Sequence, residues 1–126
     1  MKITPVLLVS EIEKSIPFWV DRLGFEKTVE VPEGDKLGFV ILTRNGAELM
    51  LQTVASVQKD TPQFAPSSGI NQAALFIEVD DFEDVLKRLG NYPVAMSERI
   101  AFYGMREIGV FDPSGHVVVF AARIGQ

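Results

Sequence analysis

Val9-Ser10-Glu11-Ile12-Glu13, near the start of the chain, is matched in the second half by Val79-Asp80-Asp81-Phe82-Glu83. In both places a β-branched residue ends an apolar run. Two polar residues follow, then an apolar residue and a glutamate. This is how a strand hands over to a helix, because a short polar side chain can accept a hydrogen bond from the free amides of the first turn. Ser10 with Glu13 reads as a capping box, and Asp81 as a simple cap. Further along, Leu23-Gly24 lies over Leu89-Gly90, and the turn Asn45-Gly46 over Ser114-Gly115. The chain reads as one unit written twice.

Each copy has the same order of elements. In the first, Ile3 to Val9 is a strand, and Ile12, Ile16, Trp19, Val20 and Leu23 recur at helical spacing until Gly24. Pro17 lies inside that helix, so it should kink it or delay its start to near Ser15. Strands follow at Phe25 to Val31, Leu37 to Leu42 and Ala47 to Val54, with turns at residues 32–35 and at Asn45-Gly46. Residues 55 to 70 lack periodicity and read as a linker. In the second copy, Gln72 to Val79 is a strand and Phe82, Val85, Leu86 and Leu89 mark a helix. Tyr92 to Ile100, Met105 to Phe111 and Val117 to Ala122 are strands, the last two joined by the turn Asp112-Pro113-Ser114-Gly115. One helix and four strands cannot close a core alone. The pattern therefore predicts an α+β fold, in which two βαβββ modules form a curved mixed sheet around a groove with the helices outside. The expected organisation is a single domain over 1–126, with module one at about 1–54, the linker at about 55–70 and module two at about 71–126.

With 126 residues, the chain is of ordinary single-domain size. It contains no cysteine, which excludes disulfides, thiolate metal sites and a cysteine nucleophile. The net charge is −5 and the 12 basic residues are scattered, which argues against a nucleic-acid partner. No apolar run approaches the ~20 residues of a membrane span. The run before Ser10 is too short for a secretory signal, so a cytoplasmic protein with no membrane partner is expected. No phosphate-binding glycine loop or metalloprotease motif occurs. The lone histidine, His116, lies in no recognisable motif with a serine, which argues against a Ser-His-Asp triad, and is expected in a solvated or turn role.

The duplicated βαβββ plan resembles the vicinal oxygen chelate superfamily of glyoxalase I, bleomycin-resistance proteins and extradiol dioxygenases. The resemblance rests on Ser15-Ile-Pro-Phe-Trp19 followed by Leu23-Gly24-Phe25, and on Tyr103-Gly-Met-Arg106 followed by Asp112-Pro-Ser-Gly115. It spans nearly the whole chain. It implies a soluble homodimer that handles a small molecule. In metal-dependent members, two side chains from each module hold a divalent ion. The matching positions here are Thr4, Met50, Ala74 and Val119, where such members carry His, Gln or Glu. A hydroxyl, a thioether and two alkyl groups cannot offset the dehydration of such an ion, so neither a metal nor another cofactor is expected.

Strand alternation then assigns the groove lining. If Met50 faces the groove, so do Glu48 and Gln52, while Leu49 and Leu51 face the helix. If Ala74 and Val119 do, so do Phe76, Glu78, Val117 and Ala121. Phe39, Phe102 and Tyr103 are candidates for the walls. Arg106 and Glu107 are adjacent in a strand, so at most one of them enters. The candidate ligand-binding residues are thus Phe39, Glu48, Met50, Gln52, Phe76, Glu78, Phe102, Tyr103 and Glu107, and no catalytic residue is assigned. Aromatic walls with carboxylates would suit an aromatic or cationic guest. The leading expectation is a metal-free protein, resembling bleomycin-resistance proteins, that sequesters such a compound. The alternative is a glyoxalase- or dioxygenase-like lyase, isomerase or oxygenase, which would need a glutamate as general base. A third reading is a partner-binding domain whose groove is filled by its own side chains.

Overall fold

The structure is a computed structural model that describes residues 1–124. The described chain divides into two compact units, Met1–Asn71 and a second beginning at Gln72. Their sheets share one topology. In the first unit β1 (Val6–Val9), β2 (Glu26–Glu33), β3 (Lys36–Arg44) and β4 (Ala47–Thr53) lie in the order β1-β4-β3-β2. In the second, β5 (Ala74–Glu78), β6 (Met96–Ile100), β7 (Met105–Phe111) and β8 (Val117–Arg123) lie in the order β5-β8-β7-β6. In both, the first strand pairs parallel with the last and the other pairings are antiparallel. The fold is α+β, two βαβββ modules each carrying a four-stranded mixed sheet.

The predicted turns hold for the expected reasons. Asn45 and Gly46 both take positive φ (49° and 82°), the left-handed pair that a two-residue hairpin with native twist needs. Gly115 N–H donates to Asp112 O at 2.9 Å, closing the DPSG turn. α2 (Phe82–Leu89) is capped as expected, with Asp81 Oδ1 accepting from the Asp84 amide at 3.0 Å.

The first helix differs from the prediction. Ile12–Lys14 forms one tight 3₁₀ turn, and Pro17–Arg22 forms a separate, wider turn in which Leu23 N–H reaches Phe18 O. Pro17 has no amide proton, so an unbroken ladder through it is impossible, and it sits instead at the first position of the second turn. The capping box does not form. The 3₁₀ turn has no side-chain cap, and Glu13 Oε2 instead accepts from the Leu37 amide at 2.8 Å, fastening the turn to the start of β3. The wide turn still buries what the periodicity marked: Trp19 is fully buried, edge-on to Phe18 at 5.0 Å and to Phe25 at 5.4 Å.

Residues 55 to 70 are also more ordered than their composition suggests. α1 (Val54–Asp60) starts at Thr53, whose Oγ1 accepts from the Ser56 amide at 3.1 Å, and a 3₁₀ turn follows at Pro62–Phe64. The helix was missed because it has barely two turns and buries only Val57, too few apolar positions to show a period. A Cβ on Gly38 would stand 2.7 Å from Glu33 Cβ and 3.3 Å from Ser56 Cβ, so glycine there lets β2 and α1 approach β3 closely.

Each sheet has one face in the core. Leu7, Val9, Val40, Leu42, Leu49 and Leu51 are buried in the first unit, and Ile108, Val110, Val118 and Phe120 in the second, where α2 adds Phe82, Val85 and Leu89. No described helix is long and apolar enough to cross a membrane.

Candidate functional site

In the first unit the strand register decides which side chains share the other face. Met50 stands between Val6 and Ile41, Gln52 between Leu8 and Phe39, and Glu48 beside Thr43. These residues alternate with the buried Leu49 and Leu51. Glu48, Met50 and Gln52 therefore share one partly exposed face, as the alternation predicted, and the pairing with Gln52 brings Phe39 onto it. Glu48 is not a free acid. Its Oε1 accepts from Thr4 Oγ1 at 3.2 Å and forms an ion pair with Lys2 Nζ at 2.9 Å. The bonded Lys2 ammonium, helped by the Thr4 hydroxyl, holds the Glu48 carboxyl below its ordinary value. Gln52 Nε2 donates to Ser56 Oγ at 3.1 Å, which orients the amide at the start of α1.

In the second unit the pairs Ala74–Val117, Phe76–Val119 and Glu78–Ala121 place these six residues on one face. Glu107 opposes Ala121, and Gly109 opposes Val119, so both join that face. Arg106 belongs to the other. Its guanidinium lies 4.5 Å from the centre of the Phe82 ring and bonds to Glu83 at 2.6 Å and Glu98 at 3.0 Å. Those two carboxylates push its pKa up. Of the adjacent pair, Glu107 is the residue that joins Phe76, and Arg106 closes over the helix.

Glu107 is the most distinctive residue of this face. It is charged in character, yet only 1% exposed. Burial of a carboxylate requires compensation, and both oxygens have it. Oε1 accepts from Arg99 Nε at 3.1 Å and pairs with Arg99 Nη2 at 3.1 Å, while Oε2 accepts a short hydrogen bond from the Tyr103 hydroxyl. That bond to Glu107 pushes the Tyr103 pKa up, because ionising the phenol would set two anions against each other. Arg99 reaches Glu107 because the two are cross-strand partners in the β6–β7 pair. Tyr103 reaches it from the hairpin tip, which turns at Gly104 (φ 84°). Phe102, fully exposed, stands edge-on to Tyr103 at 5.0 Å. Phe76 is also largely exposed, and Glu78 lies 3.7 Å from Arg123 Nε. Sequence reasoning singled out Glu107 and Tyr103 but not Arg99. The signal was available, since β6 and β7 are joined by a short turn and basic and acidic residues on adjacent strands pair across it.

All three predicted carboxylates thus carry a cation: Lys2 on Glu48, Arg123 on Glu78 and Arg99 on Glu107. A cationic guest at any of them would meet a carboxylate that already holds a cation of the chain. Each face presents a nearly neutral ion pair beside aromatic and aliphatic surface. Of the two roles expected for His116, the structure shows the turn role. His116 is buried, not solvated: its amide donates to Asp112 Oδ1 at 2.8 Å and its Nδ1 accepts from the Ala73 amide at 2.9 Å. It ties the entry of β5 to the DPSG turn.

The positions that the resemblance matches to metal ligands hold the Thr4 hydroxyl, already donated to Glu48, the Met50 thioether, and the alkyl groups of Ala74 and Val119. This donor set does not fit a hard or borderline divalent ion. Among the described residues, no three His, Asp or Glu side chains gather closely enough to hold a metal.

A family model described as the glyoxalase/bleomycin resistance protein/dioxygenase superfamily matches residues 3–120. The chain belongs to this superfamily. Solved structures share its fold at low identity. TioX from Micromonospora sp. ML1 superposes with a TM-score of 0.79 at 15% identity, over 98% of this chain and 100% of that one. A lactoylglutathione lyase from Agrobacterium tumefaciens gives 0.74 at 18%, over 96% and 92%. A bleomycin resistance determinant encoded on the transposon Tn5 gives 0.69 at 16%, over 98% of each chain. Among functionally curated proteins, none matches the sequence. At these identities the likeness speaks for the fold alone, which in this superfamily carries both a lyase and a resistance protein.

Proposed function

We propose that the whole chain acts as one functional domain, with modules at about 1–54 and 71–126, and that it binds a small aromatic or cationic compound without a catalytic metal and without changing it. The observation that carries this reading is the donor set at Thr4, Met50, Ala74 and Val119. Within a superfamily whose members include both lyases and resistance proteins, a chain with those four residues lacks the metal ligands that the lyase chemistry draws on. Each unit offers such a compound a surface of its own: Phe39 and Met50 with Glu48 and Gln52 in the first, and Phe76 and Phe102 with Glu78 and the Tyr103–Glu107 pair in the second. Because each carboxylate already holds a cation, a positively charged guest must displace or share one. Aromatic stacking is therefore the larger attraction and charge the smaller one. The protein is proposed to work as a homodimer in the cytoplasm, and analytical ultracentrifugation checks the first of these.

A second reading is favoured by one feature. Glu107 is a buried carboxylate with a hydroxyl donor on one oxygen, an arrangement that can also serve proton transfer. The test separates the two readings. The protein is titrated with a panel of cationic and neutral aromatic compounds, and melting temperature is followed. Any stabilising compound is then incubated with stoichiometric protein and recovered by chromatography. Saturable stabilisation with full recovery of the compound is expected. Conversion of the compound that is lost in Glu107→Gln would replace binding with catalysis. Elemental analysis showing a stoichiometric metal would overturn the metal-free reading.

A further inference from the structure

On the β6–β7 hairpin of the second unit, the two ends of one ion pair differ sharply in exposure. Glu107 is 1% exposed and the Arg99 side chain 56%. Arg99 turns Nε and Nη2 toward Glu107 Oε1, both at 3.1 Å, so it meets the carboxylate with the side of its fork. The Nη1 end keeps donors for a second acceptor. The other carboxylate oxygen takes the short bond from the Tyr103 hydroxyl. An approaching molecule therefore meets a guanidinium, backed by an anion that it does not touch.

The remaining carboxylates of the unit do not cancel this. Arg99, Glu107, Ala121 and Glu78 form one row across the sheet, one residue on each strand. Three strand spacings of about 4.8 Å put Glu78 roughly 14 Å from Arg99. That exceeds the screening length of about 8 Å in physiological salt, and Arg123 already stands beside Glu78. Glu83 and Glu98 are turned to Arg106, on the opposite face. The same hairpin also supplies aromatic surface. Phe102 is fully exposed and Tyr103 about half exposed, with their rings 5.0 Å apart at 82°. A flat guest laid against the face of one ring presents its edge to the other, and both contacts are favourable.

We propose that this hairpin binds an aromatic carboxylate, whose carboxylate accepts from the Nη1 end of Arg99 and whose ring lies in the corner made by Phe102 and Tyr103. The proposal rests on the binding reading above and narrows it, for the second unit, to an anionic aromatic in place of a cationic one.

The probe is 2-naphthoate, titrated into the full chain while backbone amide shifts are followed by NMR. Its neutral amide, 2-naphthamide, and the cationic 2-naphthylmethylamine are the comparators. Saturable shifts are expected at Arg99, Phe102, Tyr103 and Gly104. Because Arg99 is half in water, the carboxylate should bind only about threefold tighter than the amide, with the amine weakest. Arg99→Gln should erase the preference for carboxylate over amide while both still bind. Phe102→Ala, at a fully exposed position, should weaken all three a few-fold and keep their order. If Arg99→Gln does not fold, the order of the three compounds on the wild-type chain, together with Phe102→Ala, decides the matter. The proposal is overturned if amide or amine binds at these amides as tightly as the carboxylate, or if Arg99→Gln keeps the preference. It is equally overturned if Phe102→Ala changes nothing. In those cases the binding reading stands; if neither these three compounds nor the panel above binds saturably, both fall.

Discussion

Removing Arg99 should harm the protein more than neutralising its partner Glu107, although Glu107 is the buried member of the pair. Glu107 is 1% exposed, and the Arg99 side chain is 56% exposed. Arg99→Ala leaves a buried carboxylate with only the Tyr103 hydroxyl for compensation. Breaking a wholly buried pair from one side costs about 3–5 kcal/mol. Here the guanidinium was half in water, so its attraction was already screened, and the expected loss falls to about 2 kcal/mol. Glu107→Gln has nearly the same shape and keeps an acceptor for Tyr103. The exposed Arg99 simply returns to water, so the loss should be about 0.5–1 kcal/mol. In the double variant no buried charge remains, and its loss should fall well below the sum of the two single ones. The assay is urea unfolding of all four proteins at neutral pH. With a slope of about 2 kcal/mol/M, Arg99→Ala should lower the midpoint by roughly 1 M, and the cycle should give a coupling of at least about 1 kcal/mol. Equal losses for the two single variants, or additive losses in the double, would mean that Glu107 is compensated by something other than Arg99.

Three further outcomes follow from the packing and the charges. Gly38→Ala should destabilise by about 1–3 kcal/mol through overcrowding alone, since its new Cβ would stand 2.7 Å from Glu33 Cβ, and thermal melting with an unchanged circular dichroism spectrum checks this. Asp81→Ala removes the α2 cap and should cost about 1 kcal/mol, whereas Ser10→Ala, at the capping box that does not form, should cost nearly nothing; urea midpoints compare the two. The Tyr103 pKa is raised by its bond to Glu107, so that bond's contribution is fully present below the unfolded phenol value of 10.0 and is lost as pH rises through the higher folded value. The stability gap between wild type and Tyr103→Phe should therefore close in strongly alkaline solution, and a gap that stays constant there would contradict the assignment.

Some of these features were open to reading from the residues and others were not. The duplication was legible because each copy carries its own local punctuation: Asp81 before a helix, and Asn45-Gly46 and Asp112 to Gly115 at turns. The faces of Met50, Gln52, Phe76 and Val119 followed from period two, which survives any tertiary rearrangement that preserves the strand. The first helix was misjudged because its periodicity reports which residues are buried and not how the backbone closes its hydrogen bonds. Pro17 forced two separate turns that bury the same side chains. α1 escaped notice because it depends on a Thr53 cap and one buried valine.

The residues alone thus determine the plan of this protein: two βαβββ modules, the sheet face to which each strand residue belongs, and the lack of suitable ligands at Thr4, Met50, Ala74 and Val119. Those properties are local or periodic, and each is written within a few consecutive positions. The tertiary structure alone decides the state of the charged groups. Lys2 meets Glu48, Arg123 meets Glu78, and Arg99 and Tyr103 meet Glu107 only through strand register and hairpin geometry. A carboxylate's behaviour depends on what lies within a few ångströms in space, and neither spacing along the chain nor composition contains that distance.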